Sequence, residues 1–572
     1  MFMRYRAGSL VWSAAEAMRS IALVLGVLAL GCSSRPAAPT TPPPSPRPAP
    51  LVVTIVVDQL AAWIAEDRLP MLPEDGGFAR LRREGTWYRH IRYGHAATDT
   101  APGHSSLYTG RPPRESGILA NEVPDARGER VSILRDESAR VVTSEGATDA
   151  VGSSIARLRV DTLADALRAR SPGAVIVSIS LKDRGAIFGG GRHPTATVWF
   201  DPSRDAFVTS TAFGQTLPTW VNRAGTPAAL QALRATPWTL SDEPWVRAHA
   251  ATPDDQPGEG DLGGWGRTFP HDFPRARRPA GAMRASPMGD TAVLRLAEDA
   301  LSARDPRAPM LLALSLSSND YIGHLFGPDS WEAWDQLRRL DASLASFFSR
   351  LDTLAGRDGW TLVLSADHGI TSLPEVATIP AARPWCDGPR QRGGSDPYER
   401  PCGALGRIDP DHVATVLQAA AVRLLGEGRW VLGVADPYVY LTPEAEALPG
   451  PRRELLQLAL TATLRQFAEI ERVIDTRTIA ATCAEGESVE ALLCRAIPER
   501  NGAALYAQAR AGTFFDSGYD LGRGTSHGSP YLFDRTVPML VRAPGREPAG
   551  RVVDEPTSYT EFRRQAERLL GL

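Results

Sequence analysis

Lysine is almost missing from this chain: of 63 lysine and arginine residues, only Lys182 is lysine. A coding bias that installs arginine wherever any positive charge suffices accounts for the scarcity, and chance can leave one survivor. The other reading is that position 182 needs a compact, rotatable ammonium that a planar guanidinium cannot replace. Cysteine is also scarce, with five residues, none at the spacing of a zinc knuckle. Charge of one sign is lacking: the net charge is -3, which removes the electrostatic footprint expected of a protein that binds polymeric nucleic acid. Long apolar runs are lacking as well, since the stretch from Ile21 to Leu30 is too short to span a bilayer as a mature helix.

What that stretch does offer is a charged lead, Arg19, a short apolar segment and Gly31 before Cys32, the order of an export signal. It resembles a bacterial lipoprotein signal, with Cys32 the lipidated residue, Met18 a second possible start and simple secretion or an N-terminal anchor the alternatives. Residues 1–32 are therefore expected to be the signal, and the Pro-rich residues 33–50 an extended tether. The destination is the periplasm or the outer membrane, with the membrane touched only through the lipid. In an oxidising compartment, sequence proximity pairs Cys386 with Cys402 and Cys483 with Cys494.

From residue 51 a pattern repeats. Leu51 to Val57 is a continuous apolar, β-branched run that ends in Asp58; Ala174 to Ser180 leads to Lys182 and Arg184; Met310 to Leu316 leads to Asp320 and His324; Trp360 to Ser365 leads to Asp367 and His368. Such runs are strands buried on both faces. Helical periodicity fills the gaps over Arg159 to Arg170, Thr291 to Arg304 and Trp331 to Leu354. Strand, polar tip and helix in repetition mean an α/β sheet whose site lies at the carboxyl ends of its strands.

Taken singly, each tip has a bland explanation: an Asp after a strand is usually a helix N-cap, and a lone His usually a structural one. Together, Asp58, Asp320, Asp367, His324, His368 and His527 supply three carboxylates and three imidazoles without a thiolate, a set that suits two zinc-like ions with open positions. A polar turn, Thr98 to Ser106, holds a hydroxyl nucleophile candidate in Thr100, with Thr98 and Ser105 as alternatives. A hydroxyl needs a base or a metal to become nucleophilic.

The motifs Ile55-Val56-Val57-Asp58-Gln59-Leu60, Thr100-Ala101-Pro102-Gly103-His104, Asn319-Asp320-Tyr321-Ile322-Gly323-His324, Ala366-Asp367-His368-Gly369 and Gly524-Thr525-Ser526-His527-Gly528 resemble those of the alkaline phosphatase superfamily. They are most similar to its type I phosphodiesterase/nucleotide pyrophosphatase branch, from about residue 51 to 570. The resemblance implies an alkaline-phosphatase-like α/β fold, a central mostly parallel sheet with helices on both faces. It implies that Asp320, His324 and His527 hold one Zn2+, that Asp58, Asp367 and His368 hold a second, and that Thr100 approaches the second through its hydroxyl. Thr100 then attacks phosphorus to give a threonyl phosphate, which water hydrolyses. Ala101 and Ser526 depart from the commonest residues of that pattern, at positions that carry no chemistry.

Lys182-Asp183-Arg184-Gly185-Ala186 and Asn121 resemble the substrate shell of the periplasmic alkaline phosphatases that use threonine. Two cations and an amide suit the dianionic phosphoryl group of a monoester. The expected activity is hydrolysis of small phosphate monoesters, with a phosphodiesterase on the same metals as the alternative and a non-catalytic surface-anchored binding protein as a remote one. Sulfatase chemistry is disfavoured, because that branch carries a modified Cys or Ser where this chain has Thr100. Residues 51–572 form one catalytic domain on this reading, with insertions near 190–290 and 385–505 covering the site, because Val537 to Val541 returns to the core as a strand.

Overall fold

Seven apolar residues in succession cannot present one face to water, and in the computed structural model Leu51–Val57 (β1) is fully buried inside a twelve-stranded sheet. The structure describes residues 49–386, 396–403, 406–499, 502–516 and 520–572. The expected signal at 1–32, with Cys32, and nearly all of the tether at 33–50 lie outside the described residues.

Four more strands complete the parallel centre: Val175–Ser180 (β2), Ala196–Asp201 (β3), Met310–Leu316 (β4) and Thr361–Ser365 (β5). Their order across the sheet is β5-β1-β4-β2-β3, each pair parallel. Register sets where these strands stop. Val57 pairs with Leu316, Val56 with Ser365 and Ser315 with Ser180, so β1, β2, β4 and β5 end nearly level. The residues after them emerge along one edge. Both wings are mixed: Thr536–Arg542 runs antiparallel to β5, and Ala206–Ser210 antiparallel to β3.

Local chemistry sets the helix limits. Leu163–Arg170 begins later than its periodicity suggests, because Thr162 and Asp165 form a reciprocal capping box. Pro287–Ser302 begins earlier than Thr291, with proline in the first turn where its missing N–H costs nothing. Trp331–Ala355 is capped by the Ser330 hydroxyl and stops at Gly356.

The two segments expected to cover the site differ in kind. The stretch from about 190 begins as core, since β3 and Ala206–Ser210 extend the central sheet before short helices such as Thr219–Ala224 take over. The later stretch builds a four-stranded antiparallel sheet in the order Val431–Ala435, Tyr438–Leu441, Ala503–Ala509, Ile470–Asp475. Alternation along its strands gives it two apolar faces. Val439, Leu441, Leu505 and Ala507 pack on Leu417, Leu456 and Leu460 in a core of their own, while Tyr438, Tyr440 and Tyr506 turn to the main core. The structure pairs Cys386 with Cys402 and Cys483 with Cys494. No helix among the described residues is long and apolar enough to cross a membrane.

Candidate active site

The level strand ends deliver the polar tips to one place. Asp58 follows β1 directly, Lys182 is the residue before helix Asp183–Gly190, and Asp320 and His324 lie one turn apart on helix Ser318–Phe326. Asp367 and His368 follow β5, and His527 arrives on a loop near the end of the chain. Two groups form: Asp320, His324 and His527, and Asp58, Asp367 and His368, with the potential ligand atoms of each within 4.8 Å of one another.

All three histidines are oriented by the same device. Each Nδ1–H donates to a backbone carbonyl, His324 to Thr525 at 2.8 Å, His527 to Thr98 at 2.8 Å and His368 to Gly369 at 3.0 Å. That fixes the tautomer and points the Nε2 lone pair into the cluster. The Nε2 atoms of His324 and His527 then face each other at 3.2 Å, an arrangement two lone pairs tolerate only around a cation or a shared proton. In the second cluster Asp58 Oδ1 and His368 Nε2 are buried without a hydrogen-bond partner.

Charge points the same way. Burial, reinforced by Asp320 and Asp367, drives the Asp58 carboxyl well above the usual carboxylate range, against the pull of Lys182. Burial also lowers His368 to about 3, so its imidazole is a neutral donor. Three aspartates within one dry site are costly as anions unless countercharge is present. Hard oxygen and imidazole nitrogen donors with orphaned lone pairs fit divalent cations, one per group.

Thr100 is the first residue of helix Thr100–Thr109. Its Oγ1 accepts from Lys182 Nζ at 3.1 Å, and the same ammonium lies 2.7 Å from Asp58 Oδ2 and 2.5 Å from Asp320 Oδ2. One ammonium thus reaches the hydroxyl and a carboxylate of each group. Burial opposes its charge, but Asp320 and Asp58 overcome this and raise the Lys182 pKa. Three oxygens at such distances match the three hydrogens of an ammonium and not the flat fan of a guanidinium.

Helix Thr100–Thr109 can sit this close because position 103 is glycine. A Cβ there would lie 2.3 Å from the Asp367 carbonyl oxygen. Asn121 Oδ1 accepts the Ala101 N–H at 2.8 Å, which leaves its Nδ2 as a donor. Thr100, Asn121, Lys182 and Arg184 line one cavity of about 330 Å³ together with Asp320, His324 and His527. Thr98 and Ser105 are turned elsewhere: their hydroxyls donate to the carbonyls of Ser529 and Pro102. The pentapeptide Gly524 to Gly528 has the Gly-x-Ser-x-Gly spacing of a serine hydrolase elbow, yet it lies in a loop and not between a strand and a helix.

Several residues join the site without having been singled out. His104 sits behind it, with Nδ1 3.0 Å from Asp367 Oδ2 and Nε2 2.9 Å from Ser315 Oγ; its place inside the Thr100 motif was the available signal. Asp99, Glu122, Arg130, Asp436 and Asp516 line the outer cavity. Asp436 comes from the later stretch and Asp516 from just beyond it, after the strand Thr513–Phe515; neither carries a local signature.

This level row of parallel strands, with two Asp/His groups beside Thr100, has counterparts among known proteins. The type I phosphodiesterase / nucleotide pyrophosphatase family matches residues 52–411, and the chain belongs to that family. Among relatives, it is 35% identical over 331 residues to alkaline phosphatase PhoV of Synechococcus elongatus, covering 57% of this chain and 60% of that protein. It is 35% identical over 337 residues to alkaline phosphatase PafA of Elizabethkingia meningoseptica, with the same 57% and 60% coverage. The chain thus spans less than two thirds of the length of these two relatives. The crystal structure of wild-type alkaline phosphatase PafA superposes with a TM-score of 0.78 at 25% identity, over 92% of this chain and 96% of that one.

Proposed function

We propose that this chain hydrolyses small phosphate monoesters at a two-zinc site through a phosphorylated Thr100, as an exported alkaline phosphatase. The observation that carries the reading is the position of Lys182, whose Nζ is shared by Thr100 Oγ1, Asp58 and Asp320. Asp320, His324 and His527 would hold one ion and Asp58, Asp367 and His368 the other, with Thr100 beside the second. When bound, two such ions supply Lewis-acid charge for the attacking and departing oxygens.

The chain's own groups do the rest. The Lys182 ammonium beside Thr100 Oγ1 favours the ionised hydroxyl, which attacks phosphorus in line. The bond from Oγ1 to phosphorus forms as the ester bond breaks, and the hydroxyl proton ends on the departing alcohol. Lys182, Arg184 and the Asn121 amide offer donors to the non-bridging oxygens, where a dianion carries its charge. Water then cleaves the threonyl phosphate and releases inorganic phosphate. The cavity of about 330 Å³ suits a small ester, not a nucleic acid polymer.

Export by the signal at 1–32 and lipidation at Cys32 would place the enzyme in the periplasm or at the outer membrane. Two disulfides within the described residues suit that oxidising compartment. The test is kcat/KM of the zinc-loaded protein for a phosphate monoester and a methyl diester that share one leaving group. A strong monoester preference that collapses in Lys182→Ala supports the reading. A diester preference indifferent to Lys182 would make the chain a phosphodiesterase.

A further inference from the structure

Gln59 touches both groups at once. Its backbone N–H donates to Asp367 Oδ1 at 3.1 Å, and its side-chain Nε2 donates to Asp320 Oδ1 at 2.9 Å. The residue is 1% exposed and adopts a left-handed φ of 68°. A non-glycine residue keeps such a backbone only where its surroundings hold it there, and such positions gather at functional sites. The turn lets one residue send its main chain to one group and its side chain to the other.

The geometry points to Gln59 as a positioning residue that aims the Asp320 carboxylate at its ion, with Gly323 as the residue that makes room for it. The inference rests on the reading that the two groups bind divalent ions. Asp320 divides its oxygens: Oδ2 is held by Lys182, while Oδ1 lies 3.3 Å from His324 Nε2 and 3.6 Å from His527 Nε2, inside the histidine group. Gln59 is the amide donor on that inner oxygen. Its orientation is set, because a flipped amide would put a carbonyl lone pair against a carboxylate. On the other side of the amide, a Cβ at position 323 would lie 1.9 Å from Gln59 Oε1. Any side chain at 323 therefore pushes the amide out of place.

Loss of an outer hydrogen bond to a metal ligand weakens metal affinity roughly 10- to 100-fold. The bond from the Gln59 main chain to Asp367 does not depend on the side chain. The effect of a side-chain change is therefore confined to the ion at Asp320, His324 and His527, and the ion at Asp58, Asp367 and His368 is retained.

The experiment compares the zinc-loaded full chain with Gln59→Met, which keeps length and removes the donor, with Gly323→Ala, and with the double variant. Zinc released to a chromogenic chelator is counted per chain as chelator concentration rises, and the unfolding temperature of each metal-stripped protein is recorded. We expect the unsubstituted chain to hold two equivalents. Each single variant should lose one of them at a chelator concentration about 10- to 100-fold lower and keep the other. The double variant should lose no more than the worse single one, because both act on one hydrogen bond. Two equivalents released from Gln59→Met as from the unsubstituted chain would overturn the assignment of Gln59, and fully additive losses would overturn the link to Gly323. Fewer than two equivalents in the unsubstituted chain would overturn the bimetallic reading and this inference with it. If Gln59→Met does not fold, Gln59→Asn gives the same readout, since asparagine tolerates the left-handed backbone but falls one methylene short of Asp320.

Discussion

Exchanging the only lysine for the residue the chain uses everywhere else is the sharpest perturbation available. Lys182→Arg keeps the positive charge, so Asp58 and Asp320 are not left as unpaired buried anions. What changes is shape: three oxygens at 2.7, 2.5 and 3.1 Å surround a tetrahedral ammonium. A longer, planar guanidinium loses at least one of these contacts or displaces the substrate oxygen beside it. A hydrogen bond to a charged group contributes about 1.5–3 kcal/mol, which is roughly a 10- to 200-fold loss of rate if it acts in the transition state. The assay is kcat/KM on a monoester and on a methyl diester, with zinc content verified at two equivalents. The monoester should lose more, since its extra charge is what the ammonium is proposed to hold, and the ratio of the two rates should fall. Unchanged monoester kcat/KM at full zinc occupancy would refute the reasoning. An equal loss on both substrates would move Lys182 from holding the dianion to assembling the site.

Two further expectations use other handles. Thr100→Ala should leave no trappable phosphoprotein after rapid acid quench, because the hydroxyl proposed to bond phosphorus is gone; a phosphorylated variant would send the nucleophile elsewhere. Asp290 is buried, and burial raises its carboxyl to about 6 from an ordinary value near 3.8 even though Ser318 and Gln336 donate to it. The fold therefore favours the protonated acid: its contribution is full below pH 4, fades as pH rises to about 6, and is absent above, a span of roughly 3 kcal/mol. Asp290→Asn imitates the neutral form, so its stability relative to the unsubstituted chain, from urea midpoints, should rise from pH 4 to 6 and then level off. A pH-independent difference would contradict this.

How far the sequence could be read depended on how local the cause was. β1, at Leu51–Val57, was legible to the residue, because a strand buried on both faces writes its burial directly into an apolar run. So was the place of the tips, since a polar residue set at a strand end appears beside that run. The start at Leu163 was available in the Thr162-x-x-Asp165 box and is missed by periodicity alone. Other features have no local cause. Trp199 and Phe200 look like part of a covering insertion until pairing with Val208 and Phe207 shows them as a strand of the main sheet. The left-handed turn at Gln59 depends on two carboxylates hundreds of residues away. Asp436 reaches the cavity because three tyrosines fasten a separate sheet to the main core, and no short window of sequence records that.

The chain contributes its site in an uneven order. Asp58, Asp367 and His368 have all been synthesised by residue 368, but His527 comes from the last tenth of the chain, just ahead of Thr536–Arg542, the strand that joins β5 to the wing containing Thr86–Arg92. A chain cut short before that point therefore lacks a member of the Asp320, His324 and His527 group and the seam of its sheet together. On the proposed reading catalysis and completeness become one property, and a fragment ending before His527 would have neither the full ligand set nor the closed sheet.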